Sequence, residues 1–401
     1  MRLFIEPTEP LLFRTGRPFD AGSDVFAESI FPPTPETIQG ALRATIAVNW
    51  SRKNKPSNKD DKLFQESALV NLIGIQQNYG RFRITGLTLG RRKGNMFERL
   101  FPAPTHIIQV KFKEDEQTYQ LRLKPRSVDA EKVSTNIPAG IQYPLLPIPQ
   151  GKKVDGKTDP ISGWLTPAGL RKALRTDDFL VEENDQTEGD LVKQSRIFQY
   201  ESRLGIGMQN ATKTTREGYL YQVQMVRMQP DYGFIVDICL SKTAEYGGTE
   251  TPQSEELEAQ VQQKLGLQAE DGWLTLGGEQ RAARFKVLEP SECTSEDFLK
   301  PGKEDNLLYL STPAYFQSGW QPQPWPQSLP QPIAASIPRY ERNGGWLLEP
   351  GTSAGKSKSI RRCVPAGSVY LFDKPITITQ PLTEYGWQIG YGITFTGEWK
   401  R

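Results

Sequence analysis

The 401-residue chain balances 49 Lys+Arg against 47 Asp+Glu, a net charge of +2. It is long enough for two domains of roughly 100–200 residues each, and too evenly charged for bulk electrostatics to mark a nucleic-acid binder, so any basic surface must be local. The amino-terminal MRLFIEPTEPLLF lacks the apolar core of a signal peptide, and no stretch approaches the ~18 apolar residues of a membrane span, which predicts a cytoplasmic protein with no membrane partner. Cys239, Cys293 and Cys363 form no CxxC pair, which argues against a cysteine zinc site and predicts three reduced thiols.

Residues 2–6 alternate like a strand, and a polar-aromatic loop follows over 10–33. Thr34 and Pro35 then read as an N-cap with proline at N1, and Ile38, Ala41, Leu42, Thr45 and Ile46 recur at helical spacing, predicting an amphipathic helix over 35–50. Residues 51–62 read as an exposed insertion, followed by helix around 63–72. Strands are predicted at 82–89, 105–112 and 119–123, the last two forming a hairpin around the polar residues 113–117. Residues 125–162 are irregular and proline-punctuated, a short helix covers 167–175, and the acidic run 177–190 reads as a solvated loop.

The second half restarts with strands at 218–228 and 234–240 and a polar helix near 255–265. Further strands follow at 272–276, 283–288, 306–311, 367–372 and 389–395. Mixed strands and helices with hairpins as well as crossovers favour an α+β fold, into which two βαββαβ-like units would fit, divided as 1–200 and 201–401.

Candidates for catalysis are few. His106 is the only histidine, which leaves one imidazole for any acid–base scheme and excludes a multi-histidine metal centre. There is no GxSxG elbow, HExxH helix or GxxxxGK[ST] loop, and the glycines of GIGMQNA and GYGITFTGEW lack a dinucleotide-binding setting. No catalytic group, metal or cofactor is expected.

Glycine-flanked basic loops stand out instead. LLFRTGRPFDAG sets Arg14 and Arg17 beside Gly16, between Phe13 and Phe19. A guanidinium there can pair with phosphate or stack on a base while the glycine lets backbone amides approach. Gly40 and Arg43 share one helix face in IQGALR. SRLGIGMQNATKTTREGYLY carries Arg203, Lys213 and Arg216 around a polar tip between apolar ends, as a long hairpin arm would. GTSAGKSKSIRRCVPAGSVY packs Lys356, Lys358, Arg361 and Arg362 into seven positions, the densest basic cluster in the chain. Taken alone, the first of these reads as readily as solvated arginines in a Pro/Gly loop, and the third as a solvated hairpin.

Taken together, the blocks LLFRTGRPFDAG, FPPTPETIQGALR, RLGIGMQNATKTTREGYLY, WLTLGGEQRAA, LSTPAYFQSGW and KSIRRCVPAGSVYLF, in that order, resemble the Cmr family of RAMP proteins. Within it they resemble the third, Cas-five-like subunit of the antiviral type III-B CRISPR effector. The resemblance implies two packed ferredoxin-like (RRM-type) units with long insertions and a closing glycine-rich loop, GYGITFTGEW. It also implies a non-catalytic subunit that grips the repeat-derived 5′ tag of the CRISPR RNA, docks the large palm-domain subunit and adjoins a RAMP backbone subunit. RNA contact carries onto Arg14, Arg17, Gly40, Arg43, Lys213 and Arg216, and onto the cluster 356–362. The insertions 51–62 and 317–332 depart from the pattern. The alternative is a metal-independent RAMP endoribonuclease processing precursor RNA, for which His106 with Tyr200 or Lys213 would activate a 2′-hydroxyl.

Overall fold

In the computed structural model of the chain, residues 1–15, 26–54, 67–74, 78–111, 118–127, 141–147, 157–209, 211–241, 271–348 and 355–400 are described. The fold grows outward from the amino-terminal strand, Arg2–Pro7, whose Leu3 and Ile5 are fully buried. It lies between Tyr232–Leu240 on one side and Ala282–Leu288 on the other, antiparallel to both. The complete sheet has eight strands in the order Leu191–Val192, Trp164–Leu165, Met96–Pro102, Phe82–Lys93, Tyr232–Leu240, Arg2–Pro7, Ala282–Leu288 and Asp271–Thr275. Segments from both sides of residue 200 therefore interleave in one sheet.

A helix, Pro35–Asn54, lays Ile38, Leu42 and Ile46 onto this sheet together with Leu69, Leu72 and Ile73 of the short helix Ser67–Ile73. The helix outruns its predicted end at Trp50 because nothing in SRKN breaks it before Pro56. Thr34 accepts Thr37 N–H through its backbone carbonyl at 2.9 Å, closing the first turn.

A second layer joins the four-stranded sheet Ala334–Ser336, Val369–Leu371, Leu307–Leu310 and Thr394–Gly397 to the helix Pro167–Arg175 and to the underside of Phe101 and Leu165. Thr166 caps that helix by accepting Gly169 N–H at 3.1 Å, with Pro167 in its first turn. The predicted hairpin appears as Ile107–Lys111 paired with Thr118–Pro125. The fold is α+β and mostly sheet.

Several expectations are corrected. The strand Met96–Pro102 was not foreseen, because the polar RRKGN turn and the alternating charges of FERLFP mask its pairing with Phe82–Lys93. The strand expected over 389–395 begins only at Thr394 and runs to Gly397, because Ile389 closes a 3-10 turn, Trp387–Ile389, with Gly386 and Gly390 on either side at φ of 70° and 99°. The acidic run is partly docked rather than wholly solvated. Glu183 binds the nearly buried Arg91 at 2.7 Å, and buried Asp190 accepts from Lys172 Nζ at 2.7 Å and Val181 N at 3.0 Å. The helix predicted near 255–265 lies outside the described residues.

Ion pairing also locks the large sheet. Asp237 accepts Arg2 at 2.7 Å and also Arg99, while Glu296 accepts Arg2 at 2.9 Å and Arg99 at 2.7 Å. Burial works against ionisation of Asp237, but Arg99 and Arg2 outweigh it and hold the carboxyl below the usual range. Deleting one member would strand the opposite charges in a half-dry setting.

Candidate nucleic-acid interface

The first turn of the Pro35–Asn54 helix presents Glu36, and four and seven residues on the same face come Gly40 and Arg43. Glu36 is the hub of a cluster assembled from distant parts of the chain. Its carboxylate accepts Tyr385 Oη at 2.7 Å and Lys358 Nζ at 3.3 Å, with Arg361 Nη1 at 3.8 Å. Tyr385 Oη also meets Tyr79 Oη at 2.9 Å. The Arg361 guanidinium lies 3.8 Å from the Tyr385 ring centroid and 5.9 Å from that of Tyr315. Burial, the Tyr79 hydroxyl and the negative Glu36 together push the Tyr385 phenol well above its ordinary range, so it stays a neutral donor.

Arg43 donates Nη2 to Gly74 O at 2.8 Å, and burial lowers its pKa. Gly40 is exposed, and among the described residues no atom comes within 4 Å of the position a Cβ would take. The glycine therefore leaves an open surface above the helix instead of admitting a neighbouring backbone.

Arg362 sits on the strand Arg361–Val364, directly opposite Arg342 of Glu341–Asn343. Two like charges in register repel unless something screens them. Tyr340 does so here: its ring lies 5.0 Å from the Arg362 guanidinium, and its hydroxyl accepts Arg342 Nη2 at 3.3 Å. The hydrogen bond from Arg342, with the two positive charges, lowers the Tyr340 phenol pKa. Arg339 and Arg342 are exposed beside it. Of Lys356 only the backbone is described, in the strand Gly355–Ser357.

The other candidates lie along a long antiparallel hairpin, Phe198–Met208 with Thr215–Met228. Arg14 is exposed on the segment that runs beside it. That segment is held by Leu11, which exchanges two backbone hydrogen bonds of 2.8 Å with Val226, and by Ser29 Oγ, which accepts Phe13 N–H and donates to Gln224 O at 2.6 Å. On its other flank Gly278 N–H donates to Leu12 O at 2.7 Å. A Cβ on neighbouring Gly277, at φ +79°, would come within 2.6 Å of that same oxygen, so WLTLGGEQRAA can clasp the Arg14 segment only through a glycine. Phe13, expected as an aromatic flank, is instead buried near Phe31 and Phe234. Gly16 and Arg17 lie outside the described residues.

Lys213 is exposed at the hairpin tip with φ 55°, and Arg203 pairs with Glu201 at 2.8 Å on the inner face. Arg216 lies in the return strand, its side chain outside the description. The outer face carries Leu204 at 74% exposure, with Ile206, Met208 and Leu220 also exposed and Tyr200 and Phe26 nearer the base.

The structure thus brings the helix face and the Lys358–Arg361 cluster together and puts Arg14, Arg203 and Lys213 on a second, hairpin-based surface. Sequence reasoning missed Glu36, Tyr79, Tyr315, Tyr340 and Tyr385. The one available signal was the aromatic and glycine-rich TEYGWQIGYG. His106 belongs to neither surface. It is 4% exposed beneath the strand Thr118–Pro125, and burial, reinforced by the nearby Arg122 charge, lowers its pKa to about 3.

Among the described residues no helix is long and apolar enough to cross a membrane. No curated protein matches the chain. Among solved structures it is similar to a chain in the cryo-EM structure of the type III-B Cmr-beta bound to cognate target RNA and AMPPnP, state 1, with 16% identity, a TM-score of 0.47, and coverage of 92% of this chain and 86% of that one. The same values relate it to Cmr-beta bound to cognate target RNA alone. For the apo Cmr-beta the identity is 10% and the TM-score 0.31, over 72% of this chain and 97% of that one. These likenesses are distant, and the assignment rests on sequence. The profile described as CRISPR-associated protein (Cas_Cmr3) matches residues 3–399 and takes in every block that carried the resemblance, so the chain belongs to the Cas_Cmr3 family of CRISPR-associated proteins.

Proposed function

We propose that this chain is a non-catalytic, RNA-binding subunit of a cytoplasmic antiviral type III-B effector. In this reading it grips the 5′ tag of the CRISPR RNA and docks the large palm-domain subunit beside a RAMP backbone subunit. The observation that carries the RNA half is the convergence on Glu36. Lys358 and Arg361 come together with the Gly40–Arg43 helix face, and Arg361 is already stacked on an aromatic ring. In the RNA-free chain a carboxylate holds these cations in place. A phosphate, with more acceptor oxygens and a full charge in a similar position, can take over those contacts, while the exposed Tyr340 with Arg342 and Arg362 offers a surface on which a base can stack.

The hairpin supports the docking half. An outward row of Leu204, Ile206, Met208 and Leu220 is more apolar surface than a free arm needs, and it suits burial against a protein partner. The antiparallel order Ala282–Leu288, Arg2–Pro7, Tyr232–Leu240, Phe82–Lys93, with a helix after the first strand, is consistent with one ferredoxin-like unit.

The endoribonuclease alternative requires His106 beside Tyr200 or Lys213. His106 is buried under Thr118–Pro125, whereas Tyr200 and Lys213 belong to the exposed hairpin, an arrangement that favours the non-catalytic reading.

The test uses the assembled complex, titrated with guide RNA carrying either the correct or a scrambled tag. Arg361→Ala and Arg43→Ala should each cost about 1–3 kcal/mol and narrow the preference for the correct tag. Lys358→Ala should weaken both RNAs alike and lower the salt slope by about 0.7, the share of one single-strand phosphate contact. Unchanged tag preference in both arginine variants would defeat the proposal.

A further inference from the structure

A cavity of about 250 Å³ opens beside the start of the Pro35–Asn54 helix, where the eight-stranded sheet meets the second layer. Its walls are mostly apolar. Leu87, Leu89, Trp164 and Phe234 come from the sheet, and Phe31 and Pro33 from the segment before the helix. Phe198 packs against two of these rings, with centroids 4.1 Å from Phe31 and 5.8 Å from Trp164, and so fixes the walls. A cavity of about 150 Å³ already holds a benzene-sized molecule, so this one has room for a whole side chain.

Among the described residues one charged side chain lines this space, Glu341, and no Lys, Arg or His does. Strand alternation turns Glu341 and Asn343 toward the cavity, while Arg342 between them points the other way, to Tyr340. The neighbouring polar groups are engaged: Asn343 Nδ2 donates to Cys363 Sγ at 3.4 Å, and Thr312 Oγ1 accepts Ile393 N–H at 2.9 Å. The Glu341 carboxylate has neither a hydrogen bond nor an ion pair among the described residues. The residue is exposed, yet protein surrounds it closely enough that burial raises its carboxyl pKa with no nearby charge to offset the rise. Both properties belong to a group in a cavity wall, which solvent reaches but does not fill. Its cross-strand neighbour Cys363 stays a neutral thiol, pushed up to about 12 chiefly by burial, and Arg361, next along that face, is turned to Glu36 and the Tyr385 ring.

An unpaired carboxylate in an apolar wall carries a cost that an incoming cation removes. A phosphate or nucleotide would instead meet a like charge with no cation to balance it. The walls call for an apolar body behind the positive charge, and one carboxylate matches one charge, not the several of a polyamine. Lysine and arginine side chains join a single cation to three or four methylenes, and either cation can also lie against an aromatic ring. We propose that this cavity receives a lysine or arginine side chain of a protein partner, its stem against the apolar walls and its charge on Glu341. The site uses none of the residues assigned above to RNA or to the hairpin face, so its failure would leave that reading intact.

The test titrates the intact chain with blocked single amino acids, followed by saturation-transfer NMR. Nα-acetyl-lysine methylamide or its arginine counterpart should bind saturably with a Kd of about 1 mM or below. The norleucine counterpart, with the stem but no charge, should bind at least about tenfold more weakly, the scale of one hydrogen bond to a charged group. Glu341→Gln should weaken the cation by the same factor without lowering the unfolding temperature, since it removes an unpaired carboxylate. Ala366→Leu, which keeps Glu341 but fills part of the cavity, should weaken it too. In the unaltered chain affinity should fall on acidification with a midpoint above 4.5, the ordinary glutamate value, as Glu341 takes up a proton. No saturable binding of either cation overturns the proposal, as does equal binding of norleucine, an affinity unchanged by acid, or one unchanged in Glu341→Gln. AMP binding more tightly than both cations overturns the charge assignment. Butylammonium or spermidine binding at least about tenfold more tightly than both blocked amino acids overturns the protein source, because the mouth would then exclude a polypeptide backbone.

Discussion

Around Glu36, two neighbouring cations from the far end of the chain, Lys358 and Arg361, are paired and stacked before any ligand arrives, whereas the outward face of the hairpin is apolar. The contrast is one of preorganisation. Lys358 and Arg361 keep side-chain exposures of 31% and 26% and are held in one place, so little rotamer entropy remains to be lost when a phosphate displaces Glu36. The hairpin keeps Arg203 and Arg227 paired with Glu201 and turns much apolar area outward, the composition of a surface that gains by meeting another protein. Two regions that read alike in sequence, each a glycine-flanked basic loop, therefore suit different partners.

The strongest way to break this contrast is to charge the hairpin. Leu204→Asp with Ile206→Asp should cost about 2–4 kcal/mol in association with the partner subunit, as loss of a central apolar anchor does, while the thermal stability of the free chain changes by less than about 0.5 kcal/mol. Co-purification that survives both substitutions would remove the docking role from this face.

The contrast sharpens at Tyr385. Tyr385→Leu removes the ring beneath Arg361 and should cost nearly as much RNA affinity as Arg361→Ala, about 1–3 kcal/mol. The double variant should cost distinctly less than the sum, because the two act as one unit. Full additivity would mean that the stack plays no part in binding.

His106 belongs to neither region and provides an internal control through pH. Its folded pKa, near 3, lies below the unfolded value of about 6.5, so the unfolded chain binds the proton first. Burial is the main cause and Arg122 adds to it, while Asp177 opposes. Stability from this group is complete above about pH 6.5 and is lost as pH falls toward 3, at up to about 1.4 kcal/mol per pH unit. His106→Gln should flatten that slope in urea melts without changing tag preference at neutral pH. A slope the same as the wild type's would show that the imidazole is not held neutral.

The smallest effect carries a sign. Glu36→Gln keeps an acceptor for Tyr385 Oη but removes the competing charge, so affinity for RNA of any sequence should rise, by about 0.3–1 kcal/mol, the scale of a partly screened ion pair. A loss of affinity would show that Glu36 positions the cations more than it masks them.

What could be read from sequence was whatever is local. The apolar stripe of Ile38, Leu42 and Ile46 gave the helix, shared spacing put Gly40 and Arg43 on one face, and the density of charge over 356–362 marked that cluster. The joining of these parts was not legible, because Tyr385 and Glu36 meet across 349 positions and neither belongs to a motif that demands the other. The same holds for the large sheet, where Arg2 pairs with Asp237 and Leu288. Strand pairing at such range is set by the global packing of apolar faces, and a division of the chain at residue 200 gives no hint of it. Phe13 illustrates the opposite error. Its neighbours Arg14 and Gly16 suggested an RNA-facing loop, but the alternation of the segment turns the ring inward to Phe31 and Phe234.

The central claim, that RNA is gripped where the Glu36 helix meets the Lys358–Arg361 cluster, is tested most directly by photo-crosslinking the 5′ tag within the assembled complex and sequencing the crosslinked peptides. The account predicts crosslinks at Tyr340 and Tyr385 and on the peptides carrying Arg43 and Arg361, lost when the tag is deleted from the guide. Crosslinks confined to the hairpin around Leu204 and Ile206, or absent from this chain, would contradict it.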